Sequence, residues 1–228
     1  MTFSIAGLCR RTGEFGCALT TSSMAAGARA AFVRPGVGVV LSQARSDPRL
    51  GALGLSRLAA HRQAPDVLKD MLASTPHAAW RQLAVLDLAG RTACATGAHC
   101  TDAKAESPGD GVVAVGNGLA NASVVPAMAD AFGAAADQPL AERLLRALEA
   151  GLEAGGEAYP LRSASLHIAW PDAPFLPIDL RVDFHPTPIA ELRRFFSLWA
   201  PMAPAYVERC MDPEKSRPAA DIEGHPSA

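Results

Sequence analysis

The chain has 228 residues, enough for one sizeable core in one domain. Hydrophobic residues make up 49% and charged residues 19%, the balance of a globular protein and not of a disordered one. The formal net charge of −2, without a block of like charge, excludes the electrostatic footprint of a nucleic-acid or anionic-membrane partner.

The first residues, Met1-Thr2-Phe3-Ser4-Ile5, put a hydroxyl directly behind the initiator methionine and lead it into an apolar run. Thr is small enough for an aminopeptidase to trim a Met in front of it. Trimming leaves a hydroxyl nucleophile and an α-amine base on one residue, the chemistry of an N-terminal-threonine hydrolase. The apolar pattern predicts strands at 2–8 and 14–22, joined around Thr12-Gly13 as an antiparallel hairpin. That pairing returns Thr20, Thr21, Ser22 and Ser23 to the neighbourhood of Thr2.

Residues 29–33 and 37–43 follow as strands around the Pro35-Gly36 turn, the second ending in Ser42-Gln43 and Arg45. Asp47-Pro48 opens a helix over 49–61 and Pro65 a shorter one ending near Pro76. Strands are predicted at 82–88, 91–96 and 111–115, the last running into Gly116-Asn117-Gly118. The stretch 97–110 between them reads as a polar loop.

Two helices come next, the first capped by Asn121 or Ser123. The second opens at Pro139, carries a Leu140, Leu144, Leu145, Leu148 and Leu152 stripe, and stops at Gly155-Gly156. Strands at 163–170 and 178–184 precede a helix from Thr187-Pro188 and a last short turn ending at Met211. Helix pairs lie between runs of strands and do not alternate with them one for one, which disfavours a parallel sheet. The class expected is α+β: two stacked, largely antiparallel sheets with helices outside. One domain spans 1–211, and the polar, Pro-rich stretch 212–228 is expected to be a loosely held tail.

Several side chains fall where chemistry can be done. Asn117, between glycines, can offer its amide to an oxyanion. Gln43 and Arg45 end a central strand, where ligands are often met, and Ser22 and Ser23 end the strand paired with Thr2. Asp183 and His185 stand in an i, i+2 strand relation that points them to the same side, and suit either acid/base work or a structural corner before Pro186 and Pro188. Arg162 and Arg181 can take a substrate carboxylate.

The five cysteines contain no C-x-x-C pair, and Cys94, His99 and Cys100 lack zinc-site spacing, so no metal or other cofactor is expected. Free thiols, no leader-like opening and no apolar run of about 20 residues make a cytoplasmic protein the expectation.

Taken in order, Thr2-Phe3-Ser4-Ile5, Pro35-Gly36-Val37-Gly38, Ser42-Gln43-Ala44, Asp47-Pro48, Arg81-Gln82, Thr96-Gly97, Gly116-Asn117, Ser163-Ala164 and Arg181-Val182-Asp183 with His185-Pro186 resemble the bacterial DUF1028 family. The resemblance runs from residue 2 to about 198. It implies an Ntn-hydrolase-like, four-layer αββα sandwich and amide hydrolysis by an N-terminal nucleophile, with no settled substrate. Proteasome-type relatives of that fold keep an Asp near the end of the second strand and a Lys soon after it. Here that neighbourhood reads Thr20-Thr21-Ser22-Ser23 and Ala28-Arg29-Ala30, with neither. Two functions follow as expectations: an amidohydrolase with Thr2 as nucleophile acting on a small amide, or a non-catalytic small-molecule-binding or accessory protein on the same scaffold. An exposed sheet edge makes a homodimer a prior.

Overall fold

The computed structural model describes residues 1–224. The opening hairpin consists of β1 (Thr2–Leu8) and β2 (Phe15–Thr21), with Phe3 opposite Thr20 and Leu8 opposite Phe15. A single helical turn, α1 (Gly27–Ala30), leads into β3 (Ala31–Arg34) and β4 (Gly38–Ala44). Then come α2 (Pro48–Ala59), α3 (Ala64–Ala73), a 3-10 turn (Ala78–Trp80), β5 (Arg81–Asp87) and β6 (Thr92–Thr96). The middle of the chain holds β7 (Ala105–Gly109), β8 (Val112–Asn117), α4 (Val124–Ala134) and α5 (Leu140–Glu153). It closes with β9 (Ser163–Ala169), β10 (Ile178–Val182), α6 (Pro188–Trp199), α7 (Ala203–Met211) and α8 (Ala219–Glu223).

The strands form a six-stranded sheet, β10-β9-β2-β1-β8-β7, and a four-stranded sheet, β3-β4-β5-β6, with antiparallel neighbours throughout. Side chains of β1 alternate between two apolar layers, as the period of two requires. Phe3 and Ile5 pack with Met128, Leu144 and Leu148 of α4 and α5. Ala6 and Leu8 meet Val39 and Leu41 of β4 and Ala84 and Leu86 of β5, so the two sheets stack face to face. The far side of the smaller sheet presents Val40, Leu83 and Val85 to Leu50, Leu58, Val67 and Met71 of α2 and α3. The layer order is therefore αββα. Covering both faces of each sheet explains why the central strands read apolar almost throughout.

Three local readings change. The polar loop contains β7, whose Ala-Glu-Ser-Pro-Gly sequence has little strand preference. As the outermost strand of the larger sheet, β7 pairs on one side only, the position that tolerates a residue such as Pro108 without an N–H. Pro139 is the residue before α5 and not its first helical residue. Strand β10 stops at Val182, so Asp183 and His185 do not share a strand face. Of the stretch 212–228, residues 219–223 form α8, where Tyr206 Oη donates to Glu223, and residues 225–228 lie outside the described residues.

Two buried carboxylates organise the α2–α3 layer. Asp47 caps α2 by accepting the Arg49 N–H at 3.1 Å, and Asp87 accepts the N–H groups of Ala64, Ala89 and Arg91. The Arg49 guanidinium beside Asp47 holds its carboxyl below the usual 3.8. For Asp87, burial pushes the value up, but the hydrogen bonds from Arg91 and Ala64 outweigh it, with the same net direction. Depressed folded-state values mean that this stabilisation is present above pH 3.8 and is lost as the pH falls through the folded-state values. The thermal midpoint is therefore expected to drop as the pH is lowered below about 4, and Asp87→Asn is expected to flatten that decline in pH-stepped melting curves.

Candidate functional site

The first residue of β1 lies at one end of the sheet stack. Thr2 sits opposite Asn117 of β8 and is 6% exposed. Its side chain points the same way as those of Ser4 and Ala6, into the space between the sheets. The neighbouring strand contributes Thr21 on that face, whereas Thr20 turns away and donates to the Ser163 carbonyl. Of the hydroxyls expected around Thr2, Thr21 is the one bonded to its peptide: Thr21 Oγ1 donates to the Met1 carbonyl at 2.8 Å. Thr2 Oγ1 donates to the same carbonyl.

Beneath Thr2 runs a ladder of buried amides. Gln43 and Gln82 are cross-strand partners in β4 and β5, and both are fully buried. Gln82 Nε2 donates to the Gly116 carbonyl and to Thr96 Oγ1, both at 2.8 Å, which leaves Gln82 Oε1 as the acceptor. It receives Gln43 Nε2 at 2.6 Å and Asn117 Nδ2 at 2.9 Å. Gln43 Oε1 in turn accepts from Ser4 Oγ at 2.7 Å. This chain of donors sets the orientation of Asn117. Its Nδ2 is engaged by Gln82, and the atom left without a partner is the acceptor Oδ1. The sequence suggested a donor for an oxyanion at this position; the free end is instead an oxygen.

A cavity of about 300 Å³ opens at this end, lined by Met1, Arg45, Trp80, His99, Thr101 and Asn117 among others. Its wall is built by close backbone approach. Gly97 lies where an added Cβ would sit 2.3 Å from the Ala79 carbonyl, so the 97–101 loop can lie on the 3-10 turn. Lys104 Nζ ties that loop down through the carbonyls of Gly97, Ala98 and Cys100. The His99 ring then meets Trp80 edge-on with centroids 4.7 Å apart. Gly118, with φ of +62°, leaves room for the Met1 side chain, which a Cβ there would strike.

Arg45 stands over the Trp80 ring, its guanidinium 5.7 Å from the centroid. The nearby carboxylate, Asp47, is taken by Arg49 and Arg81, and Arg45 has no carboxylate partner among the described residues. A larger hollow of about 450 Å³ at the start of α2 contains that same Asp47–Arg49 pair, so its opposite charges already satisfy each other.

A carboxylate absent from the second strand arrives from elsewhere. Glu157 follows the left-handed pair Gly155-Gly156 after α5, is bridged to Leu119 and is 8% exposed. Its Oε2 accepts the Ser22 N–H at 2.9 Å, and its Oε1 is buried without a partner. Burial pushes its carboxyl above the usual 4.5, against the pull of Ser22, the chain's N-terminal amine and Thr21.

The remaining residues separate by location. Ser23 lines the cavity, while Ser22 contributes its backbone to Glu157. Gln43 acts from below, within the amide ladder. Arg162, Asp183 and His185 are not brought to the cavity. Arg162 donates its N–H to Thr21 and accepts from His185, Asp183 accepts the Ala25 N–H, and His185 Nδ1 accepts the Thr187 N–H at 3.1 Å, the structural corner. Cys94 donates to Glu106 and Cys100 to the Arg81 carbonyl, and no group of three or more His, Cys, Asp or Glu side chains among the described residues is placed to hold a metal.

A family model described as "Family of unknown function (DUF1028)" matches residues 2–192. The chain belongs to the DUF1028 family. A DUF1028 protein of known crystal structure, SPO2555 from Silicibacter pomeroyi, is 33% identical over 86% of this chain and 84% of its own, with a TM-score of 0.80. Anbu (ancestral beta-subunit) from Yersinia bercovieri is 11% identical over 86% of this chain and 93% of its own, with a TM-score of 0.40. A comparison with curated proteins finds no match. Within this DUF1028 chain, Thr2, Gln43, Gln82 and Asn117 all come from the matched region, as do the cavity wall and Glu157. No helix of the described residues is long and apolar enough to cross a membrane.

Proposed function

We propose that this DUF1028 protein is an N-terminal-nucleophile amidohydrolase for small amides, active once Met1 has been removed. The observation that carries the reading is the position of the Met1–Thr2 peptide. Met1 lines the inner end of the cavity, and its carbonyl lies between the hydroxyls of Thr2 and Thr21. Removing Met1 leaves the α-amine and the hydroxyl of Thr2 at the head of an open cavity.

In the forward step Thr2 Oγ1 attacks the substrate carbonyl carbon, and its proton passes to the Thr2 α-amine. The C–N bond then breaks, the amine returns that proton to the leaving nitrogen, and water hydrolyses the Thr2 ester to regenerate the hydroxyl. A free α-amine titrates at about 7.7–8.0, so a useful fraction is an unprotonated base near neutrality. Glu157, whose carboxylate accepts the Ser22 N–H just past the end of β2, is a positioning residue for the strand end that flanks Thr2.

Intact-mass measurement of protein expressed in its own host tests the reading, together with turnover of a broad amide panel. The expected result is loss of one methionine and hydrolysis of at least one amide. Turnover by protein that still carries Met1 would overturn the mechanism. Retained Met1 with ligand binding and no turnover would support the binding-protein reading.

Glu157→Gln gives an independent expectation. It keeps an acceptor for the Ser22 N–H but removes the charge, so kcat is expected to fall on the order of tenfold with little change in KM. Stability follows the opposite sign from Asp87. A raised folded-state value means that its contribution is present below pH 4.5 and is lost as the pH rises through the folded-state value. Glu157→Gln is therefore expected to be at least as stable as the parent at pH 7 by denaturant melting.

A further inference from the structure

Two groups at the cavity present a charge or an acceptor that no side chain among the described residues pairs. Arg45 is a cation without a carboxylate, held over Trp80 at the mouth. Asn117 Oδ1 is a fully buried acceptor without a donor, in a side chain that lines the cavity. Its orientation is imposed by Gln82, so it cannot turn to offer N–H without breaking the amide ladder. A ligand completing both needs an N–H donor and an anion on one small framework, within a volume of about 300 Å³.

We propose that the cavity takes an amide whose nitrogen substituent bears a carboxylate, that is, an N-acylated amino acid. The amide N–H is received by Asn117 Oδ1, and the carboxylate is received by Arg45. This deepens the Thr2 hydrolase reading and rests on it for the direction of attack. The acyl carbonyl faces Thr2, and the nitrogen that Asn117 holds belongs to the leaving group. Hydrolysis of such a substrate releases a free amino acid and a carboxylic acid.

Charge supports the choice over a free amine or a neutral amide. The cavity-lining residues with a full charge reduce to Arg45 once Met1 is gone, apart from the Thr2 amine that would take its place. A guanidinium fork is matched to a carboxylate by two parallel N–H bonds, and its stacking on Trp80 reduces the freedom lost when those bonds form. An N-acylated amino acid also places its N–H and its carboxylate on the same carbon, as a compact cavity requires.

The test uses the Thr2→Ala chain with removal of Met1 verified by mass, so that binding is read without turnover. Isothermal titration compares N-acetylalanine, N-acetylleucine and N-acetylphenylalanine with their C-terminal carboxamides. The best-bound acid is expected to bind about tenfold more tightly than its carboxamide, and Arg45→Gln is expected to erase that difference. Methylating the amide nitrogen of that acid is expected to weaken binding in the Thr2→Ala chain. Equal affinity for acid and carboxamide, or a preference that survives Arg45→Gln, would overturn the proposal, as would no binding of any member. These outcomes are read as affinities, and failure of the Thr2 mechanism appears separately as absent turnover in the unmutated chain.

Discussion

Thr2→Ala is expected to abolish amide turnover, a loss of at least about a thousandfold in kcat/KM, with the fold intact. The argument is one of position and chemistry together. Thr2 Oγ1 makes its hydrogen bond to the Met1 carbonyl, a partner that leaves with Met1, so the hydroxyl is not committed to holding the sheets together. The strand itself is anchored by its backbone ladder to β2 and β8 and by Phe3 and Ile5 beneath α4 and α5. Alanine at position 2 is also small enough to permit methionine trimming, so the variant differs from the parent by the hydroxyl and a methyl group. Thr2→Ser keeps both nucleophile and amine and is expected to stay within about tenfold of the parent. Equal turnover by Thr2→Ala and the parent would exclude Thr2 as nucleophile and direct attention to the Cys100 thiol in the same cavity. That thiol is a poor substitute, because burial pushes its pKa up and away from the reactive thiolate.

The layer order was legible because strands covered on both faces are apolar throughout and the two outer helix pairs have clear one-sided stripes. Residues 2–8, 82–88 and 163–170 declared themselves in that way. Strand β7 did not, since an edge strand pairs on one side and asks little of its side chains. The site divides similarly. Thr2, Gln43, Arg45 and Asn117 stood out as polar residues at the ends of apolar strands, and the structure gathers them at one end of the sandwich.

Gln82 has the same signature, but its importance lies in a register that pairs it with Gln43 across two strands, which no single-strand pattern shows. Glu157 was hidden differently. Gly155-Gly156 read as a helix stop, while the left-handed backbone there carries the next side chain back across α5 to Ser22, a distance of 135 residues along the chain. Trp80 and His99 come together through the bare approach of Gly97, which no periodicity records. Asp183 and His185, by contrast, looked like a pair on a strand, but the strand ends at Val182 and His185 serves the turn into α6.

Gln82→Leu is expected to cost about 4 kcal/mol of stability, the largest single-residue loss outside the apolar core. The side chains are close in size, so the loss comes from hydrogen bonding and not from a cavity. Four groups lose a partner at once: the Gly116 carbonyl, Thr96 Oγ1, Gln43 Nε2 and Asn117 Nδ2. Each buried group left unsatisfied costs about 1–3 kcal/mol, partly recovered where a neighbour can turn. Thr96, half-buried, can reach water, and Gln43 Nε2 has the Val115 carbonyl at 3.4 Å, so the estimate lies toward the lower end of the sum. A denaturant midpoint shifted at unchanged slope is the expected signature. The double replacement Gln43→Leu with Gln82→Leu removes a donor and an acceptor together, and its cost is expected to be smaller than the sum of the two single costs. Additive costs in that cycle would mean that the two amides act independently. The orientation of Asn117 would then rest on Gln82 alone, held by the Gly116 carbonyl and Thr96 Oγ1.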